Sequence, residues 1–148
     1  MQKTLPPPVF MLISLIGVVV FGFIFQVFKV IKYPYNLVGI IFILIGIIFM
    51  GSAGKLFLKY KTTLDPNKKS KKLVIEGPYK ITRNPMYLGA FLVFLGIGIL
   101  SGDLISVLCS FIAPILVNYK IIPAEESIME KTFNKQYGEY KAKVRRWI

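Results

Sequence analysis

VFMLISLIGVVVFGFIFQVF, residues 9–28, is twenty consecutive residues without a charge, and Ser14 and Gln26 are its only clearly polar members. A helix rises ~1.5 Å per residue, so the run measures about 30 Å, the thickness of a bilayer's hydrocarbon core. A second run, Leu37 to Leu58, is equally long if Lys55 lies near the headgroups. It ends in Gly51-Ser52-Ala53-Gly54, small residues that permit close helix approach. Two more runs, Met86 to Leu100 and Leu104 to Ile122, flank Ser101-Gly102-Asp103, which reads as the turn of a helical hairpin. The third run has only fifteen residues, short for a span, so it extends back into the preceding loop or the hairpin tilts. The pattern predicts an all-α integral membrane protein of about four spans (9–28, 37–58, 86–100 and 104–122) forming a single domain over 1–148.

Composition agrees. Of 148 residues, 55% are hydrophobic, and the mean hydropathy of +0.62 exceeds that of an ordinary soluble domain. Histidine is absent, which excludes imidazole acid/base chemistry and any His-ligated metal site, and no metal is expected. The one cysteine, Cys109, sits in an apolar run with no disulfide partner. The net charge of +12 is carried by lysines and arginines that flank the apolar runs. A nucleic-acid-binding face would interleave them with aromatics on a soluble surface, so membrane lipids are expected as partners and nucleic acid is not. Lys3 followed by Pro6, Pro7 and Pro8 lacks a signal-peptide cleavage pattern, so the first run is expected to be retained.

Charge placement also orients the chain. Lys59, Lys61, Lys68, Lys69, Lys71, Lys72, Lys80 and Arg83 fall in residues 59–85 against only Asp65 and Glu76, and residues 123–148 are basic too. An even number of spans puts both segments on one side, which the positive-inside rule makes cytoplasmic, with Lys29 and Lys32 outside. In the last segment Pro123 suits a first helical turn, and Glu125 and Glu126 suit a positive helix N-terminus. Met129, Phe133, Tyr137, Tyr140, Val144 and Trp147 follow at helical spacing as one apolar stripe. That predicts amphipathic helices lying on the membrane or folded over the bundle, bent at Asn134 or Gly138.

Three polar features converge on the cytoplasmic side: GPYKITRNPMYLG (residues 77–89), the pair Glu125-Glu126, and Tyr137 with Tyr140. Each also has a plain structural reading: Arg83 as a headgroup anchor, the glutamates as helix caps, the tyrosines as an interfacial belt. Together they resemble the isoprenylcysteine carboxyl methyltransferase and phospholipid methyltransferase superfamily, most closely its short bacterial members. The likeness lies in Gly77-Pro-Tyr-x-x-x-Arg-Asn-Pro-x-Tyr-x-Gly89, a hydrophobic hairpin, Glu125-Glu126, then Phe133, Tyr137, Tyr140 and a closing Val144-Arg145-Arg146-Trp147-Ile148. It covers roughly residues 60–148.

The resemblance implies a bacterial inner-membrane enzyme that uses S-adenosylmethionine to methylate a lipophilic small molecule or lipid, in a cytoplasmic pocket capped by the C-terminal helices. It implies cofactor contacts from backbone at Lys71, Leu73 and Val74, and from Tyr79, Asn84, Pro85, Met86, Tyr87 and Glu125, with Arg83 and Glu126 as catalytic candidates. Asn84 stands where relatives usually carry His, Ile121 where the prenylcysteine enzymes place a carboxylate-binding Arg, and Asn134 where Gly is usual. Ile121 in place of that Arg argues against a carboxyl-bearing isoprenylcysteine substrate, Asn84 keeps hydrogen bonding but cannot act as a base near neutral pH, and Asn134 is expected to matter for structure only. The other functions considered are an NADPH-binding, sterol-reductase-like protein and a non-enzymatic membrane scaffold; oligomeric state and acceptor atom stay open.

Overall fold

A computed structural model describes residues 7–60 and 72–148; Lys71 and the rest of the loop from 61 to 71 lie outside them. Among the described residues the chain is helical throughout: α1 (Pro7–Val19), α2 (Val38–Lys59), α3 (Pro85–Ser101), α4 (Leu104–Cys109), α5 (Ile112–Leu116) and α6 (Ile122–Lys143). α1 runs on through a wider turn, Val20–Phe25, and stops at Gln26, whose φ of 46° is left-handed. Three helical stretches are long and apolar enough to cross a membrane: Pro8–Phe25, Tyr35–Lys59 and Leu104–Lys143. α3 is apolar but shorter, with 17 residues.

α2 and α3 pack antiparallel at very short range. A Cβ on Gly46 would sit 2.5 Å from the Gly89 carbonyl oxygen, and one on Gly96 would sit 2.5 Å from that of Gly39. The four glycines therefore form the seam where the backbones meet, as small residues do in membrane helix pairs. The small-residue stretch at 51–54 contributes less than its composition implies: Gly51 faces open space, whereas Ala53 is buried against Val74 and Tyr79. The outer face of α2, including Ile41, Leu44 and Ile48, is exposed. Such a wide apolar surface is stable only against lipid.

α1 lies on α3, α4 and α5. Ser14 Oγ donates to the Cys109 carbonyl and Ser106 Oγ to the Val18 carbonyl, each at 2.7 Å. These buried hydroxyls satisfy themselves on helix backbone, which is what an apolar surrounding requires. The run 104–122 is not one uniform helix. Pro114 has no N–H to offer the Ser110 carbonyl, and the chain breaks at Ser110–Phe111; the wide turn Val117–Ile121 precedes Pro123 for the same reason.

The two ends of the bundle differ. At one end the hairpin turn closes as expected: Gly102 takes φ +78°, and fully buried Asp103 accepts from Ser106 N at 3.0 Å and Phe28 N at 2.6 Å. The Gly102 carbonyl accepts from Val30 N and Ile31 N, and Asn36 Nδ2 donates to the Leu100 carbonyl. At the other end stand Lys59, residues 72–85 and α6.

Leu104–Lys143 spans 40 residues, about 60 Å of helix and twice the hydrocarbon thickness. Its charges all lie beyond Ile122 except Lys120. Its apolar part ends there, and from Pro123 α6 is charged. α6 kinks at Asn134 (φ 42°, ψ −118°), while Gly138 stays helical. On both sides of the kink the stripe faces one cluster: Met129 and Phe133 before it and Val144 after it pack against buried Leu73, Tyr137 and Tyr140. Trp147 departs from that stripe, because the helix has ended by Val144, and joins Phe10, Val117, Ile121 and Ile122 instead.

Candidate active site

The block 77–89 folds as a tight turn feeding a helix. Gly77 takes φ +57°, a conformation glycine adopts at no cost, and Pro78 opens a one-turn 3-10 helix over Gly77–Lys80. This turn buries Tyr79 against Ala53, Val74 and Met86, its ring 5.8 Å from that of Phe57. The Tyr140 hydroxyl donates to the Tyr79 carbonyl at 2.7 Å, tying α6 to the turn. Burial raises the hydroxyl pKa of Tyr79 and Tyr140, and pushes that of Tyr137 up to about 12. All three stay neutral near pH 7, which removes them as bases.

Arg83 and Glu126, far apart in sequence, meet directly: Arg83 Nη2 donates to Glu126 Oε1 at 2.7 Å, and both side chains are more than nine-tenths buried. Arg83 Nη1 donates to the carbonyls of Lys141 and Val144, while its Nε is buried with no partner among the described residues. Glu126 takes a second guanidinium, with Arg146 Nη2 at 2.7 Å from Oε2 and Nε at 3.3 Å from Oε1. Burial alone would raise the Glu126 carboxyl, but the hydrogen bonds from Arg146 and Arg83 outweigh it and hold it below the usual range.

The strap Val144–Ile148 lies along the start of α3. The Arg145 carbonyl accepts from Arg83 N, and the Arg146 carbonyl accepts from Thr82 Oγ1 at 2.9 Å and Asn84 Nδ2 at 3.0 Å. Asn118 Oδ1 accepts from Trp147 Nε1 at 3.0 Å and from Arg146 Nη1 at 3.3 Å. Arg146, Asn118 and Thr82 were not singled out as site residues by sequence reasoning. The available signal was the buried Glu126, which needs cations, and the arginine pair at 145–146 that could supply one.

Beside this cluster Tyr87 Oη donates to Glu125 Oε1 at 2.7 Å, and the other Glu125 oxygen has no partner among the described residues. Burial raises the Glu125 carboxyl, and the Tyr87 hydrogen bond offsets this only in part. Leu73 and Val74 are buried nearby in the chain's approach to the turn, and among the described residues their backbone N–H groups have no main-chain partner. The structure thus brings Tyr87 to Glu125, Arg83 to Glu126, and Asn84 to the strap. Tyr79 and Met86 share one cluster with Val74, and Pro85 opens α3 between the two. Among the described residues no group of three or more acidic, Cys or His side chains could hold a metal ion.

An all-helical bundle of apolar, membrane-length helices with a buried, charge-paired polar cap at one end defines a class: small helical membrane proteins. Within that class the chain belongs to the phospholipid methyltransferase family, whose pattern it matches over residues 35–136, about two thirds of its length. That family lies within the superfamily that also holds the isoprenylcysteine carboxyl methyltransferases. Comparison with curated proteins and with solved structures gave no match.

Proposed function

We propose that this chain is a membrane-embedded methyltransferase that uses S-adenosylmethionine to methylate a lipophilic small molecule or lipid. The observation that carries this reading is the meeting of the 77–89 block with Glu125-Glu126 at one polar end of a chain of this family. α3 pairs antiparallel with α2 along the glycine seam, which supports a fourth crossing at the same membrane depth. Four crossings place the N-terminus, the 59–85 loop and residues 123–148 on one side. Their lysines and arginines favour the cytoplasm, and in a bacterial cell that means the inner membrane.

The residues fit the cofactor. Glu125 is partly buried and offers a carboxylate oxygen with no partner among the described residues, suited to a ribose diol or an ammonium group. The backbone N–H groups of Leu73 and Val74 are open to an adenine or carboxylate, and Lys71 precedes them just outside the described residues. The faces of Tyr79 and Tyr87 suit a sulfonium cation, with Met86 filling the space between turn and helix. Asn84 and Pro85 fix the start of α3. The buried Nε of Arg83 is a spare donor for an anionic oxygen of cofactor or acceptor.

When bound, S-adenosylmethionine supplies an electrophilic methyl group; the chain's own residues supply alignment and dryness. Apart from its Nε, Arg83 is spent on Glu126 and on the carbonyls of Lys141 and Val144, and Glu126 on Arg83 and Arg146, so their main part is to hold the site's frame. The buried tyrosines stay protonated, histidine is absent, Glu126 is held by two arginines and Glu125 on this reading serves the cofactor, so the acceptor must arrive already nucleophilic. Calorimetry on detergent-solubilised protein tests the reading. S-adenosylmethionine should bind and NADPH should not; binding of NADPH alone would replace this reading with a reductase.

A further inference from the structure

The strap is fastened by one residue in three directions. The Arg146 carbonyl holds Thr82 and Asn84 at the start of α3, its guanidinium forks onto Glu126 of α6, and its Nη1 reaches Asn118 in the last span. Glu126 in turn grips Arg83, so α3 and α6 are registered to each other through this cluster. One residue before Glu126, the carboxylate of Glu125 meets Tyr87, which lies four residues after Arg83 on the first turn of α3. The Tyr87–Glu125 contact is therefore set by the same registration. Two guanidiniums on one carboxylate exceed what neutralising Glu126 requires. The second, from Arg146, is free to serve geometry.

We propose that Arg146 is a positioning residue: its side chain latches the strap onto α6 and the last span, and through Glu126 holds Glu125 where the cofactor needs it. The inference rests on Glu125 being a cofactor ligand. Strap closure and cofactor binding are then coupled, and coupling is reciprocal: whatever fastens the strap tightens the cofactor, and the cofactor fastens the strap.

Trp147, the sole tryptophan, sits on the strap beside Asn118 and the Phe10–Ile122 cluster, so its fluorescence reads strap closure directly. The experiment measures acrylamide quenching of Trp147 and S-adenosylmethionine affinity in native, Arg146→Gln and Arg145→Gln proteins in detergent. Arg145→Gln removes the same charge from an exposed neighbour and should match the native protein in both readouts. Arg146→Gln should raise quenching without ligand and weaken cofactor binding about tenfold, and saturating cofactor should lower quenching in the native protein. A purely structural arginine would give no cofactor-dependent protection of Trp147. If Arg146→Gln does not fold, Arg146→Lys, which keeps the charge but loses the fork, should shift both readouts in the same direction. Native binding with unchanged affinity in the Arg146 variant overturns this inference alone. A native protein that binds no S-adenosylmethionine overturns the functional reading and this inference with it.

Discussion

Glu125 and Glu126 are adjacent in sequence and opposite in circumstance. Glu126 is saturated by two arginines; Glu125 has one tyrosine and a free oxygen. Glu125→Ala should therefore weaken S-adenosylmethionine binding by about 1.5–3 kcal/mol, the worth of a charge-assisted hydrogen bond, with little change in melting temperature. Unchanged calorimetric affinity would remove Glu125 from the site. Glu126→Gln should lower stability by about 3 kcal/mol, because it strands the Arg83 charge in a buried place. The Glu126 carboxyl is depressed in the folded protein, so its contribution is complete above the unfolded carboxyl pKa, ~4.3, and fades as pH falls through the lower folded value. An acid titration of Trp147 quenching should show that step below about pH 4 in the native protein and not in Glu126→Gln. At this scale the sequence was legible in part. It singled out Glu125, Glu126, Arg83 and Tyr87 as site candidates, but adjacency gives no hint of which glutamate is spent. The strap carbonyls that occupy Arg83 and Asn84 belong to main chain, which leaves no mark on residue type.

Helices were read from their apolar runs, and the misreadings have specific physical causes. The first run continues to Phe28 by composition, yet the helix ends at Gln26, because Phe28 N and the segment after it are needed by Asp103 and Gly102. The run 104–122 looks continuous, and only the missing N–H of Pro114 reveals its break. Close helix contact was expected at 51–54 and lies mainly at Gly39, Gly46, Gly89 and Gly96, spaced seven apart on each helix. A seven-residue spacing places glycines on one face, but the face that meets a partner is decided by tertiary packing. Gly46→Ala should accordingly lower the melting temperature in detergent, costing about 1–3 kcal/mol through overpacking against the Gly89 backbone. Gly51→Ala, with nothing within 4 Å of the new methyl, should be neutral or stabilising by up to about 1 kcal/mol. Equal effects of the two substitutions would refute the seam.

For the whole molecule, sidedness is the property most open to a direct test. After Cys109→Ala, single cysteines introduced by Lys68→Cys and Lys143→Cys should react with an impermeant maleimide only once the cells are opened; labelling of either from outside intact cells would reverse the orientation or change the number of crossings. The far end of the bundle carries a different consequence. There Asp103, wholly shut off from water, caps α4 through Ser106 N and ties down the connector after α1 through Phe28 N. Its bonds have no solvent competitor, so that end of the bundle is clasped shut from within.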